Sequence, residues 1–277
     1  MGGQILGNFP IGALPEAKAA FTWLIHRLRE HGPHVCYTLD GQLASGAHKL
    51  NLPGYKHSPP MAGNDAAAQL QHGIYGDIFE TTKNFVNAGN VLDYPSAEIL
   101  SSLAEQCADG WMRRDSGIWE LPELEHYTMS KISCWQALSC AVDLADSGHL
   151  PKTFRDRWDR ARQHILGWVD ENCWSESKRA YVFHPGTDRL DASLALAIRF
   201  GVPRTERLRS TLDAIERELR CGKYHYRYSG MSREEGCFLA CTFWVVEAHA
   251  LLGDLNVAQE TFLAAVDGLQ RGAGIYP

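Results

Sequence analysis

Two kinds of helical stretch alternate along this chain, and that alternation constrains its fold more than any other feature. Ala17, Ala20, Phe21, Leu24, Ile25 and Leu28 recur at three- and four-residue spacing, with Glu16, Lys18, Arg27 and Arg29 on the opposite side. This pattern predicts a helix with one apolar face, begun near Pro15 and ended by Gly32-Pro33. A loop broken by glycines and prolines then runs to about Pro60, after which Asn64 and Asp65 read as the cap of a helix reaching about Val86. The stretches 97–112, 153–170, 205–220 and 255–270 are again one-sided, whereas 128–146, 191–200 and 237–252 are apolar on most or all faces. One-sided helices suit an outer layer, and helices apolar all round are buried on both flanks. The expected fold is therefore all-α: a toroid of roughly nine alternating inner and outer helices. A solenoid of helix pairs is the alternative, but no repeat of fixed length is visible. Short extended pieces at 180–184 and 224–228 predict small hairpins and little strand.

Charge and chemistry narrow the functional classes. The 277 residues carry 27 basic and 33 acidic side chains, a net charge of -6, which argues against a nucleic-acid partner. No stretch approaches the ~18 apolar residues of a membrane span. Met1-Gly2-Gly3-Gln4 has neither a basic nor an apolar leader region, so a cytoplasmic protein is expected, its eight cysteines read as buried thiols in a reducing compartment. Cys237 with Cys241, and Cys134 with Cys140, share helices but lack histidines at zinc-site spacing, so both pairs read as packing. No metal and no cofactor are expected. The arginines of 199–220 are interleaved with acids and read as a solvated face.

The most informative loop is Arg113-Arg114-Asp115-Ser116-Gly117-Ile118-Trp119-Glu120-Leu121-Pro122. Ile118, Trp119 and Leu121 flank one carboxyl group with apolar surface, and desolvation of that kind raises a carboxylic acid's pKa toward what a general acid needs. Trp119 also offers a flat face for a sugar ring. Local composition leaves open a second reading, in which Glu120 is a solvated loop residue or a helix N-terminal charge.

Asp115-Ser116-Gly117-Ile118-Trp119-Glu120, His126-Tyr127-Thr128-Met129-Ser130-Lys131 and Cys134-Trp135 together resemble the signature of glycoside hydrolase family 15, nearest its bacterial glucoamylase, glucodextranase and trehalase branch. Further matches follow in order along the chain: Pro53-Gly54-Tyr55, Gly63-Asn64-Asp65-Ala66-Ala67, Gln69-Leu70-Gln71, Tyr75-Gly76, Leu190-Asp191-Ala192-Ser193-Leu194, Tyr226-Arg227-Tyr228, Glu235-Gly236-Cys237-Phe238-Leu239 and Phe243-Trp244-Val245-Val246-Glu247-Ala248. The resemblance covers about residues 14 to 277, leaving 1–13 as an N-terminal extension. It implies an (α/α)6 barrel and inverting hydrolysis of an α-glucosidic bond in a maltooligosaccharide, an isomaltooligosaccharide or trehalose. Glu120 matches the family's general acid, Trp119 an aromatic wall of the glucose pocket, and Arg227 an arginine that hydrogen-bonds the terminal sugar. Glu235, His126 and Lys131 fall at polar positions and are candidate sugar contacts. Their structural readings are helix caps for Glu235 and His126, and an ion pair for Lys131.

The chain also departs from the family pattern. Inversion needs two carboxyl groups about 6.5–9.5 Å apart. Gly272-Ala273-Gly274-Ile275-Tyr276-Pro277 matches the run-in to the family's base, but the glutamate itself does not follow, and an early Arg-Asp pair is not found. The expected toroid is thus incomplete, about nine of twelve helices. The base would come from another chain, from Glu234 or Glu235, or not at all. An open ring exposes apolar flanks on 237–252 and 66–86, which predicts self-association or a completing chain. The alternatives to hydrolysis are a catalytically silent toroid that binds sugar and a barrel recruited to acid-only chemistry on a non-sugar substrate.

Overall fold

The structure, a computed structural model, describes residues 14–54, 59–233 and 236–269. Glu234, Glu235, Tyr55, the N-terminal extension and the 272–277 run lie outside them. Among the described residues there are nine α-helices and three two-stranded antiparallel hairpins, in agreement with the all-α expectation. No helix of the described residues is long and apolar enough to cross a membrane.

Two compact units divide the chain. The first comprises Met1–Glu125 and Ser133–Ile165. It opens with α1 (Leu14–His31), which Gly32 ends at φ +78° while its amide bonds the Leu28 carbonyl. The short hairpin β1 (His48–Lys49) and β2 (Met61–Ala62) interrupts the loop that follows. The helix expected over 66–86 is two pieces: a 3₁₀ turn at Asp65–Ala68, capped by the Asn64 side chain on the Ala66 amide, then α2 (Gly73–Asn87). The break has a physical reason, because residues 70 and 72 spend their backbone groups on another loop, described below. Next, α3 (Tyr94–Gly110) starts three residues before the expected point, where the Asp93 carboxylate accepts the Ser96 amide at 3.0 Å. Phe21 of α1 stacks on Phe85 of α2 with centroids 4.1 Å apart.

Two long helices, α4 (Thr128–Asp146) and α5 (Arg155–Asn172), contribute to both units. α4 is buried almost throughout, as its all-round apolar pattern predicts; Ala137, Leu138 and Ala141 are wholly enclosed. Within the first unit, α5 meets α3 through Trp158, whose Nε1 donates to Glu105 at 2.6 Å.

The second unit is His126–Ile132 with Leu166–Pro277. It holds the hairpin β3 (Trp174–Ser175)–β4 (Ala180–Tyr181) and the hairpin β5 (Arg220–Cys221)–β6 (Tyr224–His225), matching the predicted extended pieces. The helix expected over 191–200 is a 3₁₀ turn at Ala192–Ala195 followed by the single turn α6 (Leu196–Arg199). α7 (Thr205–Leu219) buries Leu208, Leu212, Ile215 and Leu219 on one side, as expected. α8 (Leu239–Leu251) buries Cys241, Thr242, Val245, Ala248 and His249, while Phe243, Trp244 and Val246 are half-buried and Leu251 is exposed. α9 (Leu255–Leu269) packs on α8 and buries Ala258, Thr261 and Ala265.

Candidate active site

In the first unit, the loop bearing Glu120 is built mainly from backbone bonds. Asp115 and Glu125 exchange both amide–carbonyl bonds at 3.0 Å, closing the loop at its base. Gly117 takes φ +66°, and the Leu121 amide bonds the Ser116 carbonyl at 3.0 Å, which folds 116–121 into a tight turn. Glu120 itself has φ +57°, a left-handed conformation that costs a non-glycine residue about 1–2 kcal/mol.

The broken helix segment holds that turn. The Ser116 amide donates to the Leu70 carbonyl at 2.9 Å, the His72 amide to the Asp115 carboxylate at 2.9 Å, and the Gln69 side-chain amide to the Glu120 carbonyl at 3.0 Å. His72 Nε2 also lies 3.2 Å from the Arg113 carbonyl. Asp115 is 0% exposed and His72 2%. These holding residues were not singled out for chemistry from sequence. The only signal was that Gln69-Leu70-Gln71 belongs to a motif in register with the family resemblance.

The side chains depart from expectation. Trp119 is 8% exposed, so its indole is committed to packing and leaves little face for a sugar. Ile118 is 38% exposed, Leu121 half-buried and Glu120 exposed. The apolar shelter predicted around this carboxyl group is therefore not formed by its sequence neighbours. The reason is geometric: successive residues of a tight turn point in different directions, and burying the indole leaves the next side chain at the surface.

Three further candidates belong to the second unit. Arg227 is half-buried; its carbonyl accepts the Ala192 amide at 2.9 Å, and its guanidinium lies 5.6 Å from the Tyr228 ring centroid. The adjoining Asp191 is 1% exposed and receives both the Ser193 amide at 2.9 Å and the Ser193 hydroxyl at 2.7 Å. His126 lies against Trp168 with ring centroids 5.4 Å apart. Lys131 is 0% exposed on the first turns of α4, so a direct sugar contact would need an opening the enclosed side chain does not have. Its charge acts on Cys173, whose thiol burial pushes up to about 11 against the opposing effects of Thr128 and Lys131.

A charged cluster in the same unit was not anticipated. Glu216 of α7 lies 3.4 Å from His225 Nε2 and 3.2 Å from His249 Nε2, and His249 Nδ1 lies 3.5 Å from Asp254, which Arg209 contacts at 2.6 Å. Burial alone would raise the Glu216 pKa, but hydrogen bonds from His225 and His249 outweigh it and hold the carboxyl well below the usual range. Hydrogen bonding to Glu216 raises the His249 pKa, and Arg209 lowers that of Asp254. Five of the eight cysteines are buried as expected; Cys36 and Cys237 are half-exposed and Cys221 is exposed. Among the described residues, no group of three or more His, Cys, Asp or Glu side chains is placed to hold a metal ion.

Comparison with known proteins then places the chain. The model of glycosyl hydrolases family 15 matches residues 11–262. A trehalase of Mycobacterium tuberculosis is 31% identical over 269 residues, covering 91% of this chain and 39% of the relative. A trehalase of Mycolicibacterium smegmatis is 33% identical, covering 91% of this chain and 40% of the relative. The chain thus spans about two fifths of the length of these curated relatives. Among solved structures, a wild-type glycosidase superposes with a TM-score of 0.76 at 14% identity, covering 98% of this chain and 72% of its own. A glycosidase variant in complex with glucose gives 0.75, covering 96% and 71%.

Proposed function

The chain belongs to glycosyl hydrolases family 15, and from that premise we propose that it serves the hydrolysis of an α-glucosidic bond, with trehalose as the first substrate to test. The relatives named trehalase support that choice over maltooligosaccharides and isomaltooligosaccharides. Glu120 is the general acid: it protonates the glycosidic oxygen as the C–O bond breaks, while a second carboxylate takes a proton from the attacking water on the opposite face of the sugar. That sequence inverts the anomeric centre. Arg227, with five fixed donors, holds hydroxyls of the glucosyl unit. Trp119, His126 and Glu235 are assigned to shaping the sugar site, and the enclosed Lys131 to supporting it from behind. The observation carrying this reading is the strained turn at Glu120, at φ +57° in a loop held by three hydrogen bonds to the single stretch 69–72. Strained residues held by over-determining surroundings cluster at active sites.

Glucose release from trehalose, maltose and isomaltose by the wild type and Glu120→Gln tests the proposal. The substitution keeps the side chain's size and removes the proton, so turnover should fall by about 10³-fold. Retention of full activity by Glu120→Gln overturns the assignment. The exposure of Glu120 favours a second reading, a toroid that binds sugar without turning it over. Saturable quenching of tryptophan fluorescence by sugar, with no glucose released by the wild type, selects it.

A cytoplasmic location and self-association complete the proposal. Leu251, Leu255, Phe262 and Leu263 are 57%, 65%, 44% and 56% exposed, a concentration of apolar surface on α8, α9 and their connection that favours a partner. Sedimentation at micromolar concentration should show a species larger than the monomer; a sharp monomer boundary removes this part.

A further inference from the structure

One of the bonds between the Glu120 loop and residues 69–72 reaches the strained residue itself: Gln69 Nε2 donates to the Glu120 carbonyl at 3.0 Å. The same peptide plane is held at its other end, where the Leu121 amide donates to the Ser116 carbonyl at 3.0 Å. The plane on the far side of the Glu120 Cα is held through the Glu120 amide, which bonds the Gly117 carbonyl at 3.3 Å. A Cα between two fixed peptide planes has a fixed Cβ direction. The Gln69 bond therefore bears on where the carboxyl group points, through the backbone. A carbonyl only accepts, so Gln69 presents its NH2 group there and turns Oε1 away. Gln71 Nε2 donates to that Oε1 at 3.0 Å, and both glutamines are half-buried.

We propose that Gln69 and Gln71 are positioning residues, an amide relay that keeps Glu120 in its left-handed conformation and so aims its carboxyl group; the proposal rests on the reading of Glu120 as the general acid. The net worth of one hydrogen bond is comparable with the cost of a left-handed conformation at one non-glycine residue. Loss of the Gln69 bond therefore lets the turn relax toward ordinary backbone geometry and carries the carboxyl group away from its place. A displacement of about 1 Å in a catalytic group can cost about 10²-fold in rate. Glutamine suits the post because one planar, uncharged group donates to the Glu120 carbonyl and accepts from Gln71. Linked amides also polarise one another, so Gln71 strengthens the bond that Gln69 makes. An ionised carboxylate in place of Gln69 accepts only, and would oppose the carbonyl it should hold.

The test is Gln69→Glu, which keeps the side chain's size and shape. Once protonated, its O–H donates to the Glu120 carbonyl while the other oxygen still accepts from Gln71. Its kcat on trehalose should lie about tenfold below the wild type at about pH 7 and return to within about twofold at about pH 4, with KM little changed at either. A charge acting only through space has the opposite sign, since it would keep Glu120 protonated at neutral pH. Gln69→Leu should be lowered about tenfold at both pH values and Gln71→Leu a few-fold, while Gln106→Glu, at an exposed position, should match the wild type. Circular dichroism and thermal melting report whether each variant keeps its fold. Amide hydrogen exchange gives a readout independent of turnover: residues 116–121 should exchange about tenfold faster in Gln69→Leu, with 128–146 unchanged. The proposal is overturned if folded Gln69→Leu exchanges like the wild type over 116–121. It is equally overturned if the deficit of Gln69→Glu, in kcat or in exchange against the wild type at the same pH, persists at acid pH. Glu120→Gln judges the acid reading separately: full activity there sinks that reading, while exchange over 116–121 still decides whether the two amides hold the turn.

Discussion

Asp115 and Asp191 occupy comparable places in the two units. Each is essentially unexposed, each lies in an isolated β-bridge (to Glu125 and to Tyr228), and each carboxylate accepts a backbone amide at 2.9 Å. The reach of those bonds distinguishes them. Asp191 bonds the amide and hydroxyl of Ser193, two residues on, and so caps the turn it begins. Asp115 bonds the amide of His72, 43 residues earlier, and so joins two stretches that have no local reason to meet. The same side chain therefore shapes a local turn in one unit and secures tertiary structure in the other. Its replacement should have different consequences in the two places.

The largest effect is expected at Asp115. Asp115→Ala leaves the His72 amide without that acceptor in a dry site and should cost about 3 kcal/mol in urea unfolding. Under the proposed hydrolysis, glucose release should fall with it, because the Glu120 turn loses one of its three anchors. Asp115→Ser should be nearly as damaging, since a shorter side chain cannot bridge between separate stretches. Asp191→Ala should cost less, about 1.5 kcal/mol, as an N-cap does. Asp191→Ser should recover most of that loss, because serine caps equally well over a local span. The distinction collapses if serine restores stability at both positions or at neither.

The same difference explains what could be read from the sequence. Local signals were legible: Gly32-Pro33 ending α1, the all-round apolar run of α4, the one-sided stripe of α7, and the extended pieces at 180–184 and 224–228. Breaks imposed from a distance were not. Residues 69–72 carry helix-compatible side chains, and nothing local says that their backbone serves the loop at 113–125. The Glu120 turn shows the same limit. Apolar sequence neighbours predicted a sheltered acid, but direction within a turn, and not adjacency, decides which side chain is buried. Helical spacing pairs Cys237 with Cys241, whereas the helix begins at Leu239 and only Cys241 is buried.

A third carboxylate sharpens the contrast by changing the chemistry of its partners. Glu216 is held by the imidazoles of His225 and His249, and its side chain is 17% exposed. Its pKa is lowered from 4.5 on folding, so its contribution is complete above that value and is lost as the pH falls toward the folded pKa. The pKa of His249 is raised from 6.5, so its contribution is complete below 6.5 and is lost as the pH rises through its folded value. Both are complete together only between these limits, and stability should be greatest there, falling by about 1 kcal/mol on either side. Glu216→Gln removes the charge that raises the His249 pKa and should flatten that maximum in urea midpoints measured against pH. A maximum unchanged by the substitution would mean that other groups set the pH dependence of the second unit, and that imidazole-held and amide-held carboxylates differ less than their geometry implies.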